Sequence, residues 1–244
     1  GALVLLGLWM WARGVPLRLP ALGRTGGIIA GLLFAVEFLF LFTALDLTTV
    51  ARASIVFYSM PVWLALAAHV LLPGERLTLV RSVGLVLAMA GVVGALAEPG
   101  SGQGNLLGDL MALGAALCWA AIALCVRVTD LSEIPAEQQL FWQLLVSAPV
   151  LIVVAPAFGP LIRDLALIHV VGLGYQMVFL ASFGFLFWVW LMMIYPASGV
   201  ASFSFLSPVF AVVLGWIVLG EEIGLRIWVA LALVAVGLVL INRR

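Results

Sequence analysis

The chain has 244 residues, 66% hydrophobic and 9% charged, with a mean hydropathy of +1.30 and no net charge. Soluble domains run at about half apolar and about a quarter charged; so few charges cannot cover this much apolar surface in water, which excludes a soluble globular fold. Every basic residue is Arg and none stands in an extended run, which leaves no nucleic-acid surface to consider.

Crossing the hydrocarbon core takes about 20 apolar residues as helix. Residues 1–12 (GALVLLGLWMWA) are too short for that and begin in mid-pattern, with no basic flank that would mark a signal peptide. A basic loop follows at 13–25, where Arg13, Arg18 and Arg24 surround two prolines. Apolar segments then occupy 26–45, 48–72 and 78–97, and after the Gly/Pro/Ser turn 98–104 come 105–126, 137–157, 167–193, 199–219 and 224–241. Breaks at Pro73-Gly74, Pro99-Gly100, Pro196 and Gly220 carry turn chemistry. In lipid the backbone must satisfy its own hydrogen bonds, so the segments are predicted helices: eight full ones and one partial. Alternating the loops puts Arg13, Arg18, Arg24, Arg76, Arg81, Arg127, Arg243 and Arg244 on one side, against Arg52, Arg163 and Arg226 on the other. The positive-inside rule then places the first set and the C-terminus in the cytoplasm.

One stretch occurs twice. Phe38-Leu39-Phe40 returns as Phe185-Leu186-Phe187 and Pro61-Val62 as Pro208-Val209, 147 residues later and without a gap. After a one-residue slip, Gly74-Glu75 returns as Gly220-Glu221 and Gly91 as Gly237. Gly, Pro and Glu held in register through apolar sequence indicate a duplicated membrane unit. The division is residues 1–97 for the first copy, 98–104 for the connection and 105–244 for the second. The offset predicts a counterpart of helix 105–126 upstream of residue 1, so that roughly 40 residues precede this chain in a parent of ten helices. Five helices per copy is an odd number, which forces the copies into opposite orientations. The predicted fold is therefore an all-α integral membrane protein, a polytopic helix bundle of two inverted repeats, here about nine helices with the first missing.

These features resemble the drug/metabolite transporter superfamily, in particular its EamA-type members. The resemblance rests on Ala51–Pro61 followed by Gly74-Glu75, Gly84 and Gly91. It rests also on their return as Ala201–Pro208, Gly220-Glu221 and Gly237, and on Gly108, Ala112, Ala115, Ala116 and Trp119 opening the second copy. It covers the whole chain and implies a central cavity and movement of small metabolites across the bacterial inner membrane.

Glu37 is the foremost candidate for substrate binding. It lies 11 residues into its segment, about 16 Å along a helix and near the middle of a core about 30 Å thick. Its helical neighbours Leu33, Phe34, Phe40 and Leu41 cannot pair with it. A carboxylate at that depth binds a cationic substrate group, carries a coupling proton, or is a protonated packing residue. Ser54 and Tyr58 continue a small and polar stripe from Ala51 to Pro61, which helix packing alone also explains. Gln176, at mid-depth, and Trp119, among alanines, offer an amide and an aromatic wall; Ser204 is a weaker candidate. Asp46 and Arg52 flank one helix end and are expected to pair with each other. Glu75 and Glu221 end helices beside glycine, in a shared hinge or loop geometry. Cys118 and Cys125 read as packing residues, and His69 and His169 as interfacial ones; no metal spacing occurs, and no cofactor is expected. The absence of GxxxxGK[ST] leaves a gradient, exchange or substrate concentration as the drive, and neither HExxH nor GxSxG is present to support an enzyme. The duplicated unit and the family resemblance together favour a secondary transporter and not an enzyme, its partners a small-metabolite substrate, lipid and, where Glu37 couples, protons. The alternatives are a membrane-embedded enzyme and a non-transporting scaffold.

Overall fold

Each of the nine apolar segments contains helix in the structure, a computed structural model that describes residues 1–18, 20–71, 77–96, 105–160, 165–184, 187 and 206–242. The helices are α1 (Ala2–Ala12), α2 (Arg24–Leu47), α3 (Val50–Phe57), α4 (Met60–Leu71), α5 (Leu79–Leu96), α6 (Leu106–Val128), α7 (Ala136–Val154), α8 (Leu167–Tyr175), α9 (Leu206–Leu219) and α10 (Leu225–Asn242), and no strand occurs among the described residues. Arg24–Leu47, Val50–Leu71, Leu106–Val128, Ala136–Phe158 and Leu167–Gly184 are long and apolar enough to cross a membrane.

Segment ends follow local chemistry. Gly14 (φ 69°) turns the chain after α1, where the Arg13 guanidinium lies 5.6 Å over the Trp9 ring. The Thr49 hydroxyl accepts from the Arg52 N–H and caps α3 (3.3 Å), and the Asn105 side chain accepts from the Leu107 N–H ahead of α6 (2.9 Å). Gly220, at φ 67°, closes α9 in the left-handed region that favours glycine. Two segments depart from a single α-helix. The stretch 48–72 is broken between α3 and α4, and α8 changes into a π-helix at Gln176–Gly184.

The repeat is visible in the helices. α5 and α10 are offset by 146 residues at both ends, and 147 residues separate the interior of α4 from that of α9. The chain forms two compact units, each drawing on both repeats: Gly1–Ala35 with Cys125–Pro196, and Val36–Leu124 with Ala197–Arg244. In the first unit, Leu6 and Met10 of α1 pack on Leu140 and Phe141 of α7. Gln138 and Trp142 of α7 hold the loop after α1 by donating to the Pro16 and Leu17 carbonyls (2.7 and 3.0 Å).

In the second unit α5 and α10 form the central seam. A Cβ at Gly84 would lie 2.7 Å from the Gly237 carbonyl oxygen, and one at Gly237 would lie 2.5 Å from that of Gly84. One at Gly91 would lie 2.6 Å from the Ala230 carbonyl oxygen. Numbers rise along one helix as they fall along the other, so the pair is antiparallel. Under the repeat, Gly84 corresponds to Ala230 and Gly91 to Gly237, so the two contacts exchange into one another. This is the isologous pattern of a two-fold axis, and it lies where helices of opposite orientation meet, as an inverted repeat requires. Lipid supplies no hydrophobic force between helices, and the small residues gain their contact through close backbone approach.

Candidate functional site

Glu37 occupies the inward face of α2. Ala30, Glu37 and Ala44 are buried at seven-residue steps, while Val36 and Phe42 on other faces are exposed. Seven residues make nearly two helical turns, which stacks the three on one line. Glu37 is 4% exposed, and its Oε2 has no hydrogen-bond partner among the described residues. One turn further along α2, the Phe40 ring packs over α6, where a Cβ at Gly114 would lie 2.7 Å from it. Ala112, Ala115 and Ala116 of α6 are fully buried, and Trp119 in the following turn is half-buried.

Ser54 and Tyr58 are both half-buried and sit on α3, with Tyr58 at its last turn where the helix stops. Pro61 causes the stop: it has no N–H to give the Phe57 carbonyl, and its ring crowds that carbonyl. The fully buried Ser59 makes good part of the loss. Its hydroxyl donates to the Val56 carbonyl (2.6 Å) and accepts from the Trp63 indole N–H (3.0 Å), linking the two half-helices. Ser59 was not singled out from the sequence; a serine two residues before a mid-span proline is the signal that would have found it.

A polar cluster stands at the N-terminal end of α3. Arg52, 4% exposed, donates from Nε to Asp109 Oδ1 (3.3 Å) and from a terminal nitrogen to Asp109 Oδ2 (2.5 Å). Asp109, 3% exposed, also accepts from the Thr48 hydroxyl (3.2 Å). The expected Asp46–Arg52 pair is thereby corrected. Asp46 is exposed, and the guanidinium takes the carboxylate that meets it in a forked geometry inside the protein. Glu221 folds back beside Gly215 and accepts from the Val50 and Ala51 N–H groups (2.7 and 3.1 Å). A carboxylate there satisfies two donors that the first turn of α3 leaves open and faces the positive end of its dipole.

Gln176 is exposed at the point where α8 becomes a π-helix, a distortion frequent at functional sites. It belongs to the first compact unit, whereas Glu37, Ser54, Tyr58 and Trp119 belong to the second. Ser204, Glu75 and the second copy of the small-residue stripe up to Phe205 lie outside the described residues. Both histidines act locally at helix ends, their Nδ1 atoms accepting from Leu77 and Ala166 N–H groups (3.3 and 3.2 Å). Cys125 is buried with its thiol on the Gly26 carbonyl, in keeping with a packing role. A groove of about 360 Å³ lined by Gly94, Leu225, Arg226, Val229, Ala230 and Leu233 contains none of the sequence-predicted site residues.

Comparison with known proteins gives a consistent result. Residues 1–97 and 106–243 match the EamA-like transporter family. The uncharacterized transporter YvbV of Bacillus subtilis (strain 168) is 28% identical over 180 residues, 70% of this chain and 56% of that protein. The uncharacterized transporter YoaV of the same organism is 25% identical over 215 residues, 86% of this chain and 73% of its own. The chain thus spans little more than half the length of the first relative. A solved crystal structure superposes with a TM-score of 0.64 at 25% identity, covering 98% of this chain and 84% of that one. With a family match over nearly its whole length and the inverted helix pair at its centre, the chain belongs to the EamA-like transporter family.

Proposed function

We propose that the protein is a secondary transporter that moves small organic metabolites across the bacterial inner membrane by alternating access, with Glu37 as its proton-coupling or cation-binding group. The single observation that carries this reading is the Glu37 carboxylate, buried on the inward face of α2 with Oε2 unpartnered among the described residues. A charged residue at the bilayer centre costs about 2.5–3.5 kcal/mol on insertion scales. A packing residue would be cheaper if apolar, whereas a group that takes up a proton or a substrate cation has to be ionisable.

The interrupted α3–α4 span supports the same reading, because discontinuous helices near the midplane supply binding groups in transporters built from inverted repeats. In this reading Ser54, Tyr58 and Trp119 face the substrate. Residues 1–97 and 105–244 are the two repeats joined by 98–104, and the excess of Arg on one side sets the C-terminus in the cytoplasm. Lipid, substrate and protons are the partners.

The test begins with a thermal-shift screen of metabolites in detergent, since a ligand that binds only the folded state stabilises it by about 2.7 kcal/mol at a hundredfold excess over Kd. Uptake of the hit into proteoliposomes is then measured with and without a pH gradient. Glu37→Gln is expected to fold normally and to lose the gradient dependence. Undiminished proton-driven uptake by Glu37→Gln removes the coupling role.

A further inference from the structure

We propose that Arg52, Asp109 and Glu221 form a latch that closes one side of the transport path, so that breaking it opens that side and no other. The proposal rests on the transporter reading above and adds to it the location of a gate. Three observations carry it. First, both contacts join residues of opposite repeats: Arg52 of α3 holds Asp109 of α6, and Val50 and Ala51 of α3 donate to Glu221 beyond α9. Second, they meet at one end of one helix, on the three residues Val50, Ala51 and Arg52. Third, α3 ends at Tyr58, so the contacts at its N-terminal end act on a helix of 8 residues whose other end adjoins a candidate site residue.

The chemistry suits a latch better than a permanent joint. Permanent contacts between helices in this unit are made by backbone close approach, as between Gly84 and Gly237. The forked Arg52–Asp109 pair and the Glu221 cap are charged, and each partner is a group that water solvates well once exposed. An ion pair sealed from water gives back part of its attraction in desolvation, so it favours the closed form by a margin small enough to be reversed during a cycle. Gly215 stands beside the device: a Cβ there would lie 2.7 Å from Glu221 Oε2, so the carboxylate packs directly against α9.

The test reads access directly and requires no substrate. Cys118→Ala and Cys125→Ala remove the native thiols, and Tyr58→Cys reports from the break between α3 and α4. A membrane-impermeant maleimide is applied to either face of sealed vesicles. With the latch intact, labelling is expected from the face opposite Arg52. Adding Asp109→Asn with Glu221→Gln is expected to raise labelling from the Arg52 face by at least about tenfold, as a shift between two populated states requires, and to lower it from the opposite face. Where Asp109→Asn does not fold, Glu221→Gln alone is measured and gives a smaller rise in the same direction. Exchanging the charges, Arg52→Asp with Asp109→Arg, restores the original pattern. No rise from the Arg52 face in any folded latch variant overturns the latch. A rise there without a fall on the opposite face upholds the latch and overturns alternating access.

Discussion

The α5–α10 seam makes a quantitative prediction. In Gly237→Ala the new methyl carbon would sit 2.5 Å from the Gly84 carbonyl oxygen, 2.6 Å from the Ala88 nitrogen and 2.8 Å from the Ala88 Cβ. None of these is the far end of a flexible side chain, so relief comes only from moving the helices apart. Overpacking of a well-fitted contact costs about 1–3 kcal/mol, and a wider seam also loses Cα–H···O contacts of about 0.5–1 kcal/mol each. Against this stands the helix preference for Ala over Gly, about 0.8–1.0 kcal/mol. The expected net effect is destabilisation by about 1–2 kcal/mol. Gly94→Ala in α5 is the internal control: its nearest neighbour would be the Ala230 Cβ at 4.0 Å, so propensity acts alone and the variant should be neutral or slightly stabilised. Gly91→Ala should behave like Gly237→Ala, because the repeat axis exchanges the two positions. The pair made together should cost less than the sum, since the second methyl enters a seam the first has already opened. Thermal unfolding followed by tryptophan fluorescence in detergent measures all four, at about 2–4 °C in Tm per kcal/mol for a chain of this size. Equal melting of Gly237→Ala and Gly94→Ala would refute the close approach and the axis drawn through it.

Two further outcomes are expected. Asp109→Leu leaves the Arg52 guanidinium without the carboxylate that holds it and should lose about 3–5 kcal/mol, whereas Arg52→Met with Asp109→Leu should recover most of that because no charge is then stranded; a double variant as unstable as the single would place the cost elsewhere. Pro61→Ala supplies an N–H for the Phe57 carbonyl and should fuse α3 with α4, gaining about 1 kcal/mol per restored hydrogen bond, with slowed exchange of the residue 61 amide in hydrogen–deuterium measurements; rapid exchange there would show that the break does not depend on the proline.

Much of this architecture was legible from residue order alone, and the reason is physical. In lipid a segment of about 20 apolar residues has few options besides helix, so the nine segments could be drawn from composition and punctuation. The duplication was legible because Gly, Pro and Glu recur in register where chance would supply Leu or Val. What the residues did not reveal is non-local. Asp109 lies 57 positions from Arg52, and Glu221 lies about 170 positions from the amides it caps. A reader of the sequence naturally gives Arg52 the nearby Asp46, although loop alternation already sets the start of helix 105–126 at the same membrane face. The break between α3 and α4 was foreshadowed by Pro61, which removes the N–H that the Phe57 carbonyl would accept from; the Ser59–Trp63 contact that links the two half-helices was not. Gln176 looked polar at mid-depth on an assumed α-helix; the switch to π geometry begins at that residue.

The seam and the polar cluster differ in how they stand to the repeat. Gly84 with Gly237 and Gly91 with Ala230 are exchanged by the two-fold axis, so in the proposed alternating-access cycle, whose two states would be related by that axis, these contacts can persist in both. Such a seam is a natural pivot. The Arg52–Asp109 pair lies off the axis, and its image would have to form at the other membrane face. The second copy carries Gly199 where Arg52 maps, so no equivalent ion pair can form there, although Glu75 does stand where Glu221 maps. In the proposed cycle, two conformations that perfect duplication would make equal in energy would be made unequal by this one charged pair. In the proposed cycle the resting protein is closed on the Arg52 side, and the duplicated scaffold moves while the departure from duplication sets which way it rests.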